Sequence, residues 1–189
     1  MKKTHFIIAV VVLFISIYLI ATKEIHEHAD FAVYINGEKL NFSQDKYMHH
    51  ETAEEEKSEK HGQQEDEKAH MHDNVGWIAH KHAADATWGI FFRNINITFN
   101  SACFVFEGSS YCSNETHNLR MFVNGREDFE FGGKKINDLD RVLITFDNSR
   151  NIDAQLNSVT DEACLYSRKC PERGEAGSEG CVTGGKQCT

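Results

Sequence analysis

Apolar and polar residues alternate from Phe31 to Ile35, break at Asn36-Gly37, and continue from Glu38 to Phe42. Two alternating arms around Asn-Gly predict a β-hairpin, because a type I′ turn needs positive φ at both central residues. A related pattern returns as Leu119–Val123, Asn124-Gly125 and an arm from Arg126 to Phe131. Trp77–His82 reads as a strand, as does Arg141–Phe146, entered from Asp138-Leu139-Asp140. Between them Trp88, Phe91, Phe92 and Ile95 fall at helical spacing, with Asp85 or Thr87 available as the cap. Ile95–Phe99 alternates again and leaves that helix as an extended segment. The absence of a βαβ rhythm predicts an α+β fold, one helix laid over a mixed sheet.

The ends and the middle differ in kind. Lys2 and Lys3 precede an uncharged run from Phe6 to Ala21, a positive flank followed by a stretch between a signal-peptide core and a full span in length. A small residue is missing at −3 from Ala21, where Leu19 stands, so the run reads as an uncleaved signal anchor over residues 1–22 rather than a removed peptide. That makes the protein a single-pass membrane protein held through residues 6–21, with everything after Thr22 extracytoplasmic. Residues 23–160 form the extracytoplasmic domain. Within it, residues 45–73 carry ten acidic residues, four lysines and five histidines, and read as an exposed, acidic, His-rich insertion. Residues 161–189 form a Cys- and Gly-rich tail.

Six cysteines (Cys103, Cys112, Cys164, Cys170, Cys181 and Cys188) are an even set, and in an oxidising compartment they read as up to three disulfides. Proximity suggests Cys103–Cys112, a loop closure contributing about 2.5–3 kcal/mol in the chain-entropy picture. The sequons at Asn41, Asn96 and Asn114 are glycosylation candidates that fit the same compartment. A net charge of −9 excludes a nucleic-acid partner, which needs clustered Lys and Arg. Phosphate-binding loops, the HExxH zinc motif and GxSxG are all missing, and no catalytic residue is indicated.

The histidines carry the functional signal. His26-x-His28, His70-x-His72 and His80-x-His82 repeat one spacing within 57 residues of a chain with 11 histidines. On a strand, residues two apart share a face about 6.5 Å apart, so two imidazoles can converge on one ion. The expected ligands are His28, His72, His80 and His82, with His26, His70 and Asp73 as alternates. Imidazole suits Zn or Cu, and added carboxylates leave Ni or Fe open. Two blander readings stand beside this one: histidines decorating a solvated sheet edge, and a surface that charges near pH 6 without metal.

The stretch Met71–His82, read as His-Asp, Gly, an apolar pair and His-x-His, followed by Thr87-Trp88-Gly89-Ile90-Phe91-Phe92, resembles a prokaryotic family of membrane-anchored extracytoplasmic proteins of uncharacterised function. Phe122–Gly125 and Asp138–Val142 fit the same pattern, and the resemblance covers about residues 26–147. His28–Gly37 and Cys164–Gly174 are similar to an archaeal branch, some members of which are labelled protein-disulfide isomerases. That label implies a thiol–disulfide oxidoreductase at Cys164 and Cys170, although this chain has Cys-x5-Cys where such enzymes use C-x-x-C. The order of elements also resembles β-grasp domains. That likeness implies Trp88, Phe91 and Phe92 on the concave face of the sheet beside Val33, Ile35, Val123, Val142 and Ile144. A third functional reading is a metal-free module contacting an envelope protein partner.

Overall fold

The structure, a computed structural model, describes residues 25–49, 68–149 and 151–177, with the backbone of two short strands beyond them. The expected signal anchor, residues 50–67 of the acidic insertion, and Cys181 and Cys188 lie outside the described residues. Among the described residues, no helix is long and apolar enough to cross a membrane.

Among the described residues up to 177, ten strands and three short α-helices build the domain. They run β1 (Glu27–Ile35), β2 (Glu38–Lys39), β3 (Ala69–His70), β4 (Ile78–Lys81), α1 (Trp88–Asn94), β5 (Thr98–Phe99), β6 (Cys103–Phe106), β7 (Ser109–Cys112), β8 (Asn118–Val123), β9 (Arg126–Asp128), β10 (Arg141–Asp147), α2 (Asp153–Asn157) and α3 (Ala163–Tyr166). The fold is α+β and mostly sheet, with α1 packed on one face. The main sheet runs β3-β4-β1-β10-β8-β9, and β2 pairs with the far end of β1. Among the described residues only β1 and β10 pair in parallel, in register from Asp30↔Arg141 to Ile35↔Phe146. Both Asn-Gly turns form as expected, with φ of 51° and 83° at Asn36 and Gly37 and 52° and 78° at Asn124 and Gly125. The second hairpin is shorter than its alternation suggests. Its return strand stops at Asp128, and Phe131 opens a 3₁₀ turn instead, with its side chain buried against Phe99.

Helix α1 starts where Thr87 caps it, its hydroxyl accepting from the Ile90 N–H (3.3 Å). Trp88, Phe91 and Phe92 are fully buried against Phe31, Phe42, Val33, Val142 and Ile144. A small sheet of β5, β6 and β7 closes this core with Phe99 and Phe104, and the Cys103–Cys112 disulfide staples its directly opposed ends. Of the segment Ile95–Phe99, only Thr98–Phe99 pairs as strand.

Alternation along β1 splits the core in two. Ala29, Phe31, Val33 and Ile35 face the aromatic side. Ala32, with Tyr34 partly buried, faces a second cluster with Phe122, Leu143, Ile152 and Val159. His28 and Asp30 share this second face, which residues 152–167 cover. Asp30 docks the cover: its carboxylate accepts from the Thr160 hydroxyl (2.5 Å) and from the backbone N–H groups of Glu162 (2.8 Å) and Ala163 (3.0 Å). Part of the expected tail is therefore seated on the domain, and a second disulfide, Cys164–Cys170, closes the loop that follows.

The boundaries of the acidic insertion also differ from expectation. Tyr47 and Met48 are buried at its start, and Ala69, His70, Met71 and His72 are buried at its end. The charged majority masked these flanks in the composition. Ala69-His70 is the edge strand β3, and through it and the two residues that follow, Ala69 and Met71 join the aromatic core while His70 and His72 join the histidines.

Candidate metal centre

The period-two rule and the strand register together build the site. On β1, β4 and β3 each His-x-His pair sits on, or runs just past, neighbouring antiparallel strands. His28 is paired directly with His80, and His80 with His70. The three pairs thus form a grid of six imidazoles on one face, the face opposite the aromatic core. Glu27 and Lys81, one residue out of phase, project to the other side and pair at 2.6 Å.

Within the grid His26 Nε2 lies 3.2 Å from His28 Nε2, and His72 Nε2 lies 3.1 Å from His80 Nδ1. One donor atom each of His26, His28 and His80 falls within 4.8 Å of the others, a group that could hold a metal ion. Two nitrogens at 2.0–2.1 Å from a tetrahedral ion are ~3.4 Å apart, so a small contraction would complete this trio. The other rings surround it. His82 stacks on His26 (centroids 4.9 Å) and on His70 (4.8 Å), and His49 stacks on His70 in turn (4.7 Å).

Of the four expected ligands, His28 and His80 belong to the trio, His72 touches it through His80, and His82 reaches it through the His26 ring. His26, an alternate ligand in the sequence reading, is the trio's third member. His70 lies in the outer stack, and the Asp73 carboxylate meets His72 Nδ1 at 2.6 Å.

Burial sets the electrostatics. His28 and His80 are inaccessible to solvent, and His70 and His72 nearly so. Desolvation, and then the neighbouring imidazoles, push His28 down to about 3 and His82 down to about 4. The same causes hold His80 well below, and His26 below, the ordinary imidazole range. All four are neutral at neutral pH, the state in which a ring nitrogen binds metal. Among the described residues, the buried Nε2 atoms of His80 and His82 have no hydrogen-bond partner.

Several residues of the site carried no sequence signal. Tyr166 of α3 lies over the inner rings, 5.7 Å from both His28 and His80. Ser167 Oγ lies 2.9 Å from His28 Nδ1 and donates to Asp138, whose Oδ1 also accepts from the His28 backbone N–H (3.1 Å). Although burial raises it, hydrogen bonds from Lys169, Ser167 and His28 hold the Asp138 carboxyl below the usual range. His49 stands beside His50 in the charged tract, where no His-x-His spacing marks it as a ligand. These contacts span up to 139 positions in sequence, beyond the reach of any local pattern.

The remaining sequence candidates are placed simply. Asn41, Asn96 and Asn114 all stand exposed. Cys103–Cys112 and Cys164–Cys170 are both formed, with Cys170 buried and the Arg173 Nη1 group donating to Cys164 Sγ at 3.4 Å. Compared with protein-family models, curated proteins and solved structures, the chain finds no match. The chemistry of the histidine cluster therefore carries the functional argument.

Proposed function

We propose that this chain is a membrane-anchored, extracytoplasmic protein that binds a transition metal ion, Zn or Cu, through its His-x-His pairs. The observation that carries the reading is the convergence of His26, His28 and His80, with donor atoms within 4.8 Å of one another. Neutral nitrogen donors on rigid strands suit borderline divalent ions, and no thiolate or thioether is among the three. A site borne on paired strands holds its donors more precisely than one on loops. The sheet order β2-β1-β10-β8-β9, with its parallel central pair and a helix on one face, supports a β-grasp-like scaffold. The Lys-flanked run Phe6–Ala21, the two disulfides and the exposed sequons support the extracytoplasmic address.

Elemental analysis of the purified full-length chain in detergent, after repletion with Zn²⁺ or Cu²⁺ and removal of unbound ion, tests the reading. The wild type retains at least one ion per chain, and the His28→Gln/His80→Gln variant retains none. Metal at background in the wild type ends the proposal.

A second reading, thiol–disulfide exchange at Cys164–Cys170, draws support from the Arg173 guanidinium beside Cys164, since a cation at a sulfur favours its thiolate. It predicts insulin reduction that is lost in Cys164→Ser. Metal binding without that activity decides for the first reading.

A further inference from the structure

Two hydrogen-bonded arms enter the histidine trio from opposite sides, and each ends in a carboxylate. On one side Asp73 Oδ2 meets His72 Nδ1 (2.6 Å), and His72 Nε2 meets His80 Nδ1 (3.1 Å). On the other, Asp138 Oδ1 accepts from Ser167 Oγ, which meets His28 Nδ1 (2.9 Å).

The donors can be followed one atom at a time. A carboxylate only accepts, so His72 Nδ1 carries the proton given to Asp73. In a chain that holds an ion at His80 Nε2, His80 carries its proton on Nδ1 and donates it to His72 Nε2, which accepts. His80 Nε2 is then the unprotonated nitrogen, and it is the buried atom without a partner among the described residues. The second arm runs the same way. Ser167 spends its one proton on Asp138, so its oxygen accepts from His28 Nδ1–H. His28 Nε2 is left unprotonated, 3.2 Å from His26 Nε2.

We infer that Asp73 with His72, and Asp138 with Ser167, are positioning residues that fix the tautomers of His80 and His28 and turn both Nε2 lone pairs toward one divalent cation held by His26, His28 and His80. The inference rests on the metal-binding reading above and deepens it. It assigns His72 a role one step back from the ion, where the sequence alone counted it as a ligand. It also names the class of ion. Three neutral imidazoles bring no charge to the site, and the carboxylates, one residue removed, place negative charge beside a divalent ion. Lys169 pairs with Asp138 at the end of the second arm. Local backbone serves the same end. Asp73 and Asn74 both sit in the left-handed region (φ 57° and 58°), a turn that brings the Asp73 carboxylate back against the adjacent His72 ring.

Titration of the metal-free full-length chain with Co²⁺, followed by its visible absorption and by displacement with Zn²⁺, tests the inference. Asp73→Asn and Ser167→Ala each weaken binding by about 10–100-fold while leaving the Co²⁺ spectrum unchanged, since the ligands stay in place. His72→Gln behaves as they do, whereas His80→Gln abolishes the spectrum. Each variant is checked for its native melting transition. Independently of any variant, imidazole ¹⁵N shifts of the metal-free wild type show protonated Nδ1 and unprotonated Nε2 at His28 and His80.

The opposite tautomer at either residue overturns the inference, as does Co²⁺ binding by Asp73→Asn and Ser167→Ala within twofold of wild type. A changed Co²⁺ spectrum in His72→Gln also overturns it, because His72 is then a ligand. A wild type that binds neither Co²⁺ nor Zn²⁺ removes the metal-binding reading itself, a failure distinct from these.

Discussion

Acidifying the metal-free protein should destabilise it before its carboxylates titrate. His28 is depressed from 6.5 to about 3, and His82 from 6.5 to about 4, by burial first and by neighbouring imidazoles second. A histidine held neutral in the fold binds its proton in the unfolded chain first. Below pH 6.5 the unfolded state therefore carries more protons, and stability falls with falling pH until the folded values near 3 and 4 are reached. Between pH 7 and pH 5 each of these two groups contributes about 2 kcal/mol of lost stability at the standard 1.36 kcal/mol per pH unit. Because the rings perturb one another, the pair together is worth about 2–4 kcal/mol, with His26 and His80 acting in the same direction. Asp30, raised by burial, opposes this as a single carboxylate, and its shift starts from 3.8. Against a domain stability of roughly 5–15 kcal/mol, the loss is a large fraction. Urea unfolding of the chelator-treated chain at pH 7 and pH 5 measures it, with unchanged m-values confirming the comparison. Equal stability at the two pH values, or greater stability at pH 5, would refute the claim that the fold holds these imidazoles neutral.

Further outcomes follow from the same structure. Zn²⁺ at 100 times its dissociation constant should stabilise the chain by about 2.7 kcal/mol at pH 7, read as a rise in melting temperature that His80→Gln removes. Opening the Cys164–Cys170 loop in the Cys164→Ser/Cys170→Ser variant should cost about 2 kcal/mol in chemical denaturation. It should also weaken metal binding in the same titration, since Tyr166 and Ser167 lie within that loop. Gly132→Ala should cost ~2 kcal/mol or more, because an added Cβ would lie 2.1 Å from the Phe99 carbonyl oxygen, whereas Gly133→Ala meets nothing within 4 Å and should be near neutral. Asp30→Ala should cost roughly 2–3 kcal/mol and loosen residues 160–167, by hydrogen exchange, because three donors lose their acceptor.

How much of this was legible depended on the range of the interaction concerned. The two Asn-Gly turns, the Thr87 cap and the Trp88–Phe92 face follow from neighbours a few positions apart and formed where the pattern put them, although the return strands stop at Lys39 and Asp128. The faces of the His-x-His pairs followed from period two alone. What the pattern lacked was register: nothing local says that His80 stands between His28 and His70. The choice of His26 over His82 or His72 as the trio's third ring depends on side-chain direction across strands. The cover over the site was equally hidden, because Asp138 reaches His28, and Thr160 and Glu162 reach Asp30, only after the chain returns from more than 100 residues away. Composition misled at one place. The charge of residues 50–67 hid the folded flanks on either side, Tyr47–Met48 and Ala69–His72.

The cost of this cluster argues for its use. A sheet edge is ordinarily stabilised by apolar or well-paired side chains on its covered face, and Ala32, Leu143 and Phe122 do this farther along the same surface. At the β3-β4-β1 end the chain instead buries a set of imidazoles, leaving ring nitrogens of His80 and His82 without hydrogen-bond partners among the described residues. Each such atom forfeits roughly 1–3 kcal/mol relative to a satisfied one. Replacing His80 with leucine should therefore stabilise the metal-free chain, or leave it unchanged, while destroying metal binding. Thermal melts with and without Zn²⁺ separate the two effects. A His80→Leu chain markedly less stable than the metal-free wild type would mean that the ring serves packing, and the case for a metal built on its burial would fall.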